Sequence, residues 1–217
     1  VSTPAPWDVA VVGLGAIGSA CACHLAARGL RVLGLDRHAP PHARGSSHGR
    51  TRIIREAYFE HPLYVPLVRR AYELWAALER DSGRELLRIV GGLNLGRPDG
   101  VLVAGARRSV EQHGLPHAVL TAAEVRAQYP ALRPDDAMVG LWEPRAGILD
   151  PEACIAAHLQ VAAAHGAALR RDEPVLRWSA DPDGVTLATT AGQHRARRLV
   201  LAAGPWLRSL VPDLHLP

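Results

Sequence analysis

The stretch DVAVV, Asp8–Val12, runs directly into GLGAIG, Gly13–Gly18, and then into SACACHLAARG, Ser19–Gly29. The first segment is a short apolar run of strand length. The third is rich in small residues and closes on Gly29, a natural helix stop. LRVLGLDR, Leu30–Arg37, then reads as a second strand that ends at Asp36. The order strand, glycine turn, helix, strand predicts an α/β fold with a Rossmann-like nucleotide unit. Each glycine has a task in it. Gly13 permits the tight turn, Gly15 lets the backbone approach a pyrophosphate, and Gly18 lets helix and strand pack closely. The helix start offers unpaired N–H groups and a positive dipole end to phosphate. Asp36 lies about twenty residues beyond Gly13, where an acid accepts hydrogen bonds from a ribose diol. An acid at that position argues against a 2′-phosphate and hence against NADP. A bare GxGxxG is weak, but one that follows a strand, opens a helix and leads to an acid at a strand end is specific. The fingerprint alone does not separate NAD from FAD.

The next segment bears on that choice. An NAD domain continues with further βαβ units, whereas here HAPPHARGSSHG, His38–Gly49, is rich in proline and glycine and is not a helix. GSSHGRTRIIREAY, Gly45–Tyr58, follows, with Arg50, Arg52 and Arg55 close together. Placed on a helix, His48, Thr51, Arg52 and Arg55 fall at i, i+3, i+4 and i+7 and share a face. Arg50, Ile53, Ile54 and Ala57 fall roughly opposite. If the cationic stripe faces a pocket, it would hold a carboxylate and stabilise anionic states of a flavin. If it faces solvent, the arginines would pair with carboxylates such as Glu56 and Glu60.

Composition narrows the class. The 217 residues are 48% hydrophobic and 21% charged, ordinary for a globular protein with a substantial core. The net charge is +4, and every basic residue besides histidine is arginine. These arginines are scattered, and aromatics are only 5%, too few for a base-stacking platform, so no nucleic-acid partner is expected. No apolar run is long enough to cross a membrane. VSTPAPWDVAVVG, Val1–Gly13, lacks a basic start and a cleavable apolar core, so a cytoplasmic location is expected. Cys21, Cys23 and Cys154 are odd in number and lack metal-ligand spacing, and read as reduced thiols. Among the eleven histidines no helical pair sits beside a carboxylate, and His24 reads as a packing residue. No metal is expected.

VVGLGAIGSA, GSSHGRTRIIREAYFEHPLYVPLVRRAYELW, EPRAGILDPEACIAAHL and LVLAAGPW occur in this order along nearly the whole chain. Together they resemble the N-terminal part of the monomeric sarcosine oxidase and N-methyltryptophan oxidase family, FAD-dependent amine oxidoreductases of the D-amino acid oxidase type. The resemblance implies FAD as cofactor, with Gly13, Gly15 and Gly18 at its pyrophosphate and Asp36 at the ribose. Arg37 is similar to the basic residue that follows the acid. Ser46, His48, Thr51 and Arg52 would lie along the flavin, and Arg55 is similar to the arginine that grips the substrate carboxylate. Val175 resembles the strand position that meets the adenine, and Ala203 and Gly204 a second flavin-contacting turn. The implied reaction is oxidation of an N-methyl or cyclic amino acid, by hydride transfer to flavin and reduction of O2 to H2O2. His48 and Arg52 would favour the reduced, anionic flavin.

Family members are much longer, so a C-terminal half or a second chain is expected to complete the enzyme. That missing part would carry the covalent flavin cysteine and the lysines of these oxidases, and none of the three cysteines here sits in a matching context. Two other classes compete with this one. An NAD-dependent dehydrogenase shares the fingerprint but leaves the Arg-rich segment unexplained. A nucleotide-binding module without turnover is the other.

The remaining elements predict a Rossmann-like FAD-binding domain with an inserted α+β substrate-side domain, incomplete at the C-terminus. The expected boundaries are 1–84 and 146–217 for the first and 85–145 for part of the second. Tyr64–Arg80 shows a helical stripe of Leu67, Ala71, Leu74, Trp75 and Leu78. IVGGLNLG reads as a strand, VAGARRSVEQHG as a helix closed by Gly114, and MVGLWEP as a strand. Thr121–Glu124 is a capping box. Asp150–Pro151 starts a helix that runs to Gly166. DPDG, Asp181–Gly184, turns a hairpin, and RRLVLAAG is a buried strand returning to the nucleotide sheet.

Overall fold

A computed structural model describes residues 6–212. The N-terminal reading rests partly on residues 1–5, which lie outside this range. In chain order the chain forms β1 (Trp7–Val12), α1 (Ala16–Ala26), β2 (Val32–Leu35), β3 (Arg52–Ile54), α2 (Tyr64–Ser82), β4 (Leu87–Ile89) and β5 (Gly92–Gly96). There follow α3 (Val101–His113), β6 (Ala118–Thr121), α4 (Ala122–Gln128), β7 (Val139–Glu143), β8 (Gly147–Leu149) and α5 (Pro151–Ala164). The last are β9 (Ala168–Arg170), β10 (Val175–Asp181), β11 (Gly184–Thr189), β12 (Gly192–Leu201), a 3-10 turn at Gly204–Trp206 and α6 (Leu207–Leu210).

The expected caps are present. Thr121 Oγ1 accepts the Glu124 N–H while the Glu124 carboxylate accepts the Thr121 N–H, the reciprocal pattern of a capping box. Asp150 accepts the Ala153 N–H at 2.9 Å ahead of Pro151. Gly114 closes α3 in the left-handed region, φ 59°. Asp181 and Gly184 frame the β10–β11 turn, where Arg195 grips the Asp181 carboxylate with two nitrogens, 2.6 and 2.7 Å away. That contact holds Asp181 down to about 2.

The chain divides into two compact units. Within the described residues the first comprises 6–50, 78–84 and 150–212, and the second 51–77 and 85–149. These limits differ from the expected 85–145 insertion, because β3 pairs with β8 and so draws its surroundings into the second unit.

The first unit is built on a six-stranded sheet in the order β10-β11-β12-β1-β2-β9. β12, β1, β2 and β9 run parallel, and β10, β11 and β12 form an antiparallel meander. Val9–Val12 of β1 and all of β2 are apolar and buried because both faces are covered there, as central parallel strands require. One face packs Ala10, Val12, Leu33, Leu35, Leu187 and Ala196 into a buried cluster. α1 and α5 lie against each other, with Ala22, Ala26, Ala157 and Ala162 fully or almost fully buried. Small side chains let these helix axes approach closely. Cys23 and Cys154 are buried and Cys21 half-buried, all free. Burial pushes the Cys154 thiol up to about 12 and Cys23 in the same direction, so both remain protonated.

The second unit is antiparallel, with sheets β3-β8-β4 and β5-β7-β6. α3 packs on β5 and β7. Its core joins Ala57, Val65, Ala106, Val110, Leu115 and Leu141. Gly105 is needed there, since a Cβ would sit 2.1 Å from the Phe59 carbonyl oxygen. Three expectations change. IVGGLNLG is two strands, broken at Gly91 with φ 76°. The buried stripe of α2 begins with Val65, Val68 and Tyr72, while Leu67 is 66% exposed. Gly45–Tyr58 is not a helix: bends lead into β3, and Gly49 has φ 123°, outside any helix. The β-branched residues Thr51, Ile53 and Ile54 suit a strand, and β8 supplies the partner. The two isoleucines therefore face opposite ways, Ile53 71% exposed and Ile54 buried.

His158 on α5 gives this fold a pH dependence. Burial, then the nearby His24, lower its pKa from 6.5 to about 4. The two rings meet edge to face at 6.2 Å. Folding favours the neutral form, so its contribution is complete above pH 6.5 and is lost as pH falls toward 4. Chemical denaturation between pH 7 and pH 4 is expected to show a loss on the order of 3 kcal/mol from this residue, and His158→Leu is expected to flatten that part of the profile.

Candidate functional site

The register of the parallel strands creates the site. Val12 aligns with Leu35 on one side and with Leu201 on the other, so three strands end level. Beyond those ends the chain turns away at Gly13, Asp36 and Ala202 and leaves a crevice, the usual ligand position in an open α/β sheet. Gly13, Gly15, Asp36, Arg37, Ser46, Val175, Ala203 and Gly204 all line this cleft. Residues far apart in sequence thus meet where the spacing and the resemblance placed a dinucleotide.

Gly13 and Gly18 are required by geometry. Gly13 has φ 90°, and a Cβ there would lie 2.6 Å from the Ala202 carbonyl oxygen. A Cβ on Gly18 would lie 1.7 Å from the Gly13 carbonyl oxygen, so the packing glycine stands behind the cleft and not in its lining. Gly15 caps α1 with no side chain of its own, and the first-turn N–H groups beyond Ala16, whose N–H Ser47 takes, suit an anion. The donor set, the bare backbone and the acid at the end of β2 fit the adenine dinucleotide part of FAD.

Asp36 does more than the sequence suggested. It is 8% exposed, and its Oδ2 accepts the Leu14 N–H at 2.7 Å while Oδ1 accepts the His38 N–H at 2.9 Å. His42 Nε2 lies 3.4 Å from Oδ1. Ser47, not singled out by sequence, accepts the Ala16 N–H at 3.2 Å. Glu152 on α5 accepts the Gly49 N–H at 2.9 Å and ties down the same loop. His42 and Glu173 also line the cleft and carried no sequence signal, and Trp206, the last residue of LVLAAGPW, lines it too. Burial pushes Glu173 up, but hydrogen bonds from Thr189 and His194, each 2.7 Å, prevail and lower its pKa.

The Arg-rich segment is divided. His48 belongs to the first unit, with Nδ1 against the Gly45 carbonyl. Thr51, Arg52 and Arg55 belong to the second. The helical face proposed for these four does not exist, because Arg52 stands on β3 and Arg55 just after it. Arg52 Nη1 donates to the Thr51 carbonyl at 2.9 Å. The Arg55 guanidinium carbon sits 4.9 Å from the Tyr58 ring centre and 5.5 Å from that of Phe59. Arg55 Nη2 donates to Glu60 at 3.2 Å. The expected pairing of Arg55 with Glu60 is therefore present, whereas Glu56 is buried and pairs with Arg69 and Arg145, which lie outside the segment. No cluster of metal-ligating side chains occurs among the described residues. No helix among them is long and apolar enough to cross a membrane.

The parallel sheet, glycine turn and cleft define a dinucleotide-binding α/β protein. Residues 8–217 match the family model described as FAD dependent oxidoreductase, DAO, and the chain belongs to that family. Over 211 residues it is 49% identical to monomeric sarcosine oxidase of Streptomyces avermitilis, covering 97% of this chain and 55% of that protein. It is 38% identical to N-methyl-L-tryptophan oxidase of Escherichia coli K12, covering 96% of this chain and 56% of that protein. Among solved structures it resembles NikD, an unusual amino acid oxidase essential for nikkomycin biosynthesis, with TM-score 0.87 and 32% identity over 96% of this chain and 54% of that one. The chain spans about half the length of the curated relatives it matches. The family is FAD-dependent, which decides the choice between NAD and FAD.

Replacing Asp36 tests the cleft. Asp36→Ala removes the acceptor of a buried backbone N–H and is expected to cost about 1–3 kcal/mol in denaturant unfolding. In the same variant, quenching of FAD fluorescence on titration is expected to shift to higher protein concentration.

Proposed function

We propose that this chain is the FAD-binding portion of an oxidase of amino acids bearing a secondary amine, such as sarcosine or another N-methyl or cyclic amino acid. The observation that carries the reading is the 49% identity to monomeric sarcosine oxidase over nearly the whole chain. The glycine turn, Asp36, Arg37, Ser46, Val175, Ala203 and Gly204 would hold FAD, with Thr51, Arg52 and His48 toward its flavin end. FAD, when bound, supplies the two-electron oxidation of the amine, with O2 as final acceptor and H2O2 as product.

Arg55 binds the substrate carboxylate. A guanidinium offers two parallel N–H donors, a fit that a lysine ammonium lacks. The Tyr58 and Phe59 rings restrict the plane of that fork. Glu60, its present partner, has a side chain 43% exposed. A solvated carboxylate of that kind holds the fork weakly and can yield to a substrate carboxylate. Arg52 and His48 add positive charge that favours anionic states during the reaction. A complete enzyme needs the C-terminal half found in the relatives, whether in the same chain or in a second one.

The test is peroxide production by the full-length protein with N-methyl amino acids. In Arg55→Lys, KM for the amino acid is expected to rise roughly 10- to 100-fold, the loss of one charge-assisted contact. The flavin absorbance of the protein is expected to stay unchanged. Equal KM in both proteins would remove Arg55 from the carboxylate site.

A further inference from the structure

The second unit contains a buried carboxylate that the proposed reaction does not use. Glu143 is the last residue of β7 and is 2% exposed. Its Oε2 accepts two backbone N–H groups, from Glu56 at 2.8 Å and from Ala57 at 3.0 Å. These are the two residues that follow Arg55. β7 is the central strand of its sheet, so the acceptor is mounted on a rigid element. The clamped segment is fixed around it as well. Ala57 is fully buried in the core, the Tyr58 N–H donates to the Glu56 carbonyl at 2.8 Å, and Ser109 hydrogen-bonds the Tyr58 carbonyl.

A buried carboxylate is a costly way to satisfy two backbone donors. Burial raises the pKa of Glu143, and the two N–H groups and the Arg55 charge oppose that rise. Its other oxygen, Oε1, is buried without a hydrogen-bond partner, and so is Arg55 Nε. Buried groups in that condition are uncommon and point to a role beyond packing. Arg55, Tyr58 and Phe59 all leave the backbone within the turn that Glu143 holds, and the two rings are those that flank the guanidinium.

We infer that Glu143 is a positioning residue for Arg55, fixing the turn after β3 so that the guanidinium meets the substrate carboxylate in one orientation. This rests on the reading of Arg55 as the carboxylate anchor. Glu143 touches neither substrate nor flavin and acts through the backbone of Glu56 and Ala57. Its removal therefore loosens substrate binding and leaves turnover and cofactor binding in place.

The test uses the full-length flavoprotein with N-methylglycine, comparing Glu143→Ala, Glu143→Gln and Arg55→Lys. Glu143→Ala is expected to raise KM roughly tenfold or more, a loss typical of a displaced positioning group, with kcat and the flavin spectrum close to those of the parent. Glu143→Gln keeps an acceptor oxygen and is expected to restore most of the affinity. Hydrogen exchange at the Glu56 and Ala57 amides is expected to speed up in the alanine variant and not in the glutamine variant. A parental KM in Glu143→Ala beside a raised KM in Arg55→Lys overturns the inference and leaves the role of Arg55 standing. A parental KM in Arg55→Lys overturns both. A fall in kcat and flavin content together in Glu143→Ala, with KM unchanged, reduces Glu143 to a structural role and also overturns it. If the alanine variant does not fold, Glu143→Asp decides, since it withdraws the acceptor by one methylene. A raised KM then supports the inference and a parental KM overturns it.

Discussion

The carboxylate of Asp36 ties the nucleotide turn to the sheet. Leu14, in the glycine turn, is fully buried, and its N–H reaches no water; Asp36 Oδ2 accepts it at 2.7 Å. The backbone of the same residue donates to the Arg170 carbonyl at the end of β9 and accepts from the Glu173 N–H, 3.0 and 2.9 Å. One residue thereby holds the exits of β1, β2 and β9 together. The cleft exists because those exits are held level, and an unsatisfied buried donor in its place would cost what a whole hydrogen bond contributes. The acid expected to meet a ribose is also a structural member of the glycine turn.

The second unit meets the burial of charge with a different arrangement. Glu56 is 4% exposed and lies between Arg69, 3.8 Å away, and Arg145, 3.4 Å away. Glu143 uses backbone donors instead. Tyr72 donates to the Arg145 carbonyl at 2.5 Å and packs beneath that guanidinium at 5.1 Å, while burial pushes its phenol pKa up. Arg55 directly precedes Glu56 in the chain and pairs with Glu60. It has an aromatic seat and a solvated partner, the combination suited to an arginine that exchanges one carboxylate for another.

Much of the first unit was legible in the chain. The strand, glycine turn and acid of residues 8–36 and the Asp150 cap are local devices, decided within a few bonds of their own residues. The return strand was legible in part: Arg197–Leu201 pairs with β1 in the nucleotide sheet as expected, but β12 begins at Gly192, and Arg197 and Arg198 are exposed and Leu199–Leu201 half-buried where a buried strand was expected. The short strands β6, β8 and β9 were not, since three or four residues carry no period and take their structure from a partner. The segment Gly45–Tyr58 was misread for the same reason. Its residues at i, i+3, i+4 and i+7 form a plausible helical face, yet a strand partner in β8 and a positive φ at Gly49 prevail over that pattern.

By itself, then, the amino-acid sequence determined the nucleotide fingerprint, the helix ends, the family and the identity of the residues that carry charge. These depend on backbone propensity and on motifs whose parts are close in the chain. The tertiary structure alone decided where those charges act: that Asp36 closes a turn, that Ser47 and Glu152 hold the loop, that Arg55 sits between two rings, and that Glu143 reaches back 87 positions to Glu56. Hydrogen bonds of this length in sequence are selected by which strands end side by side, and strand order is a property of the packed sheet, not of any local segment.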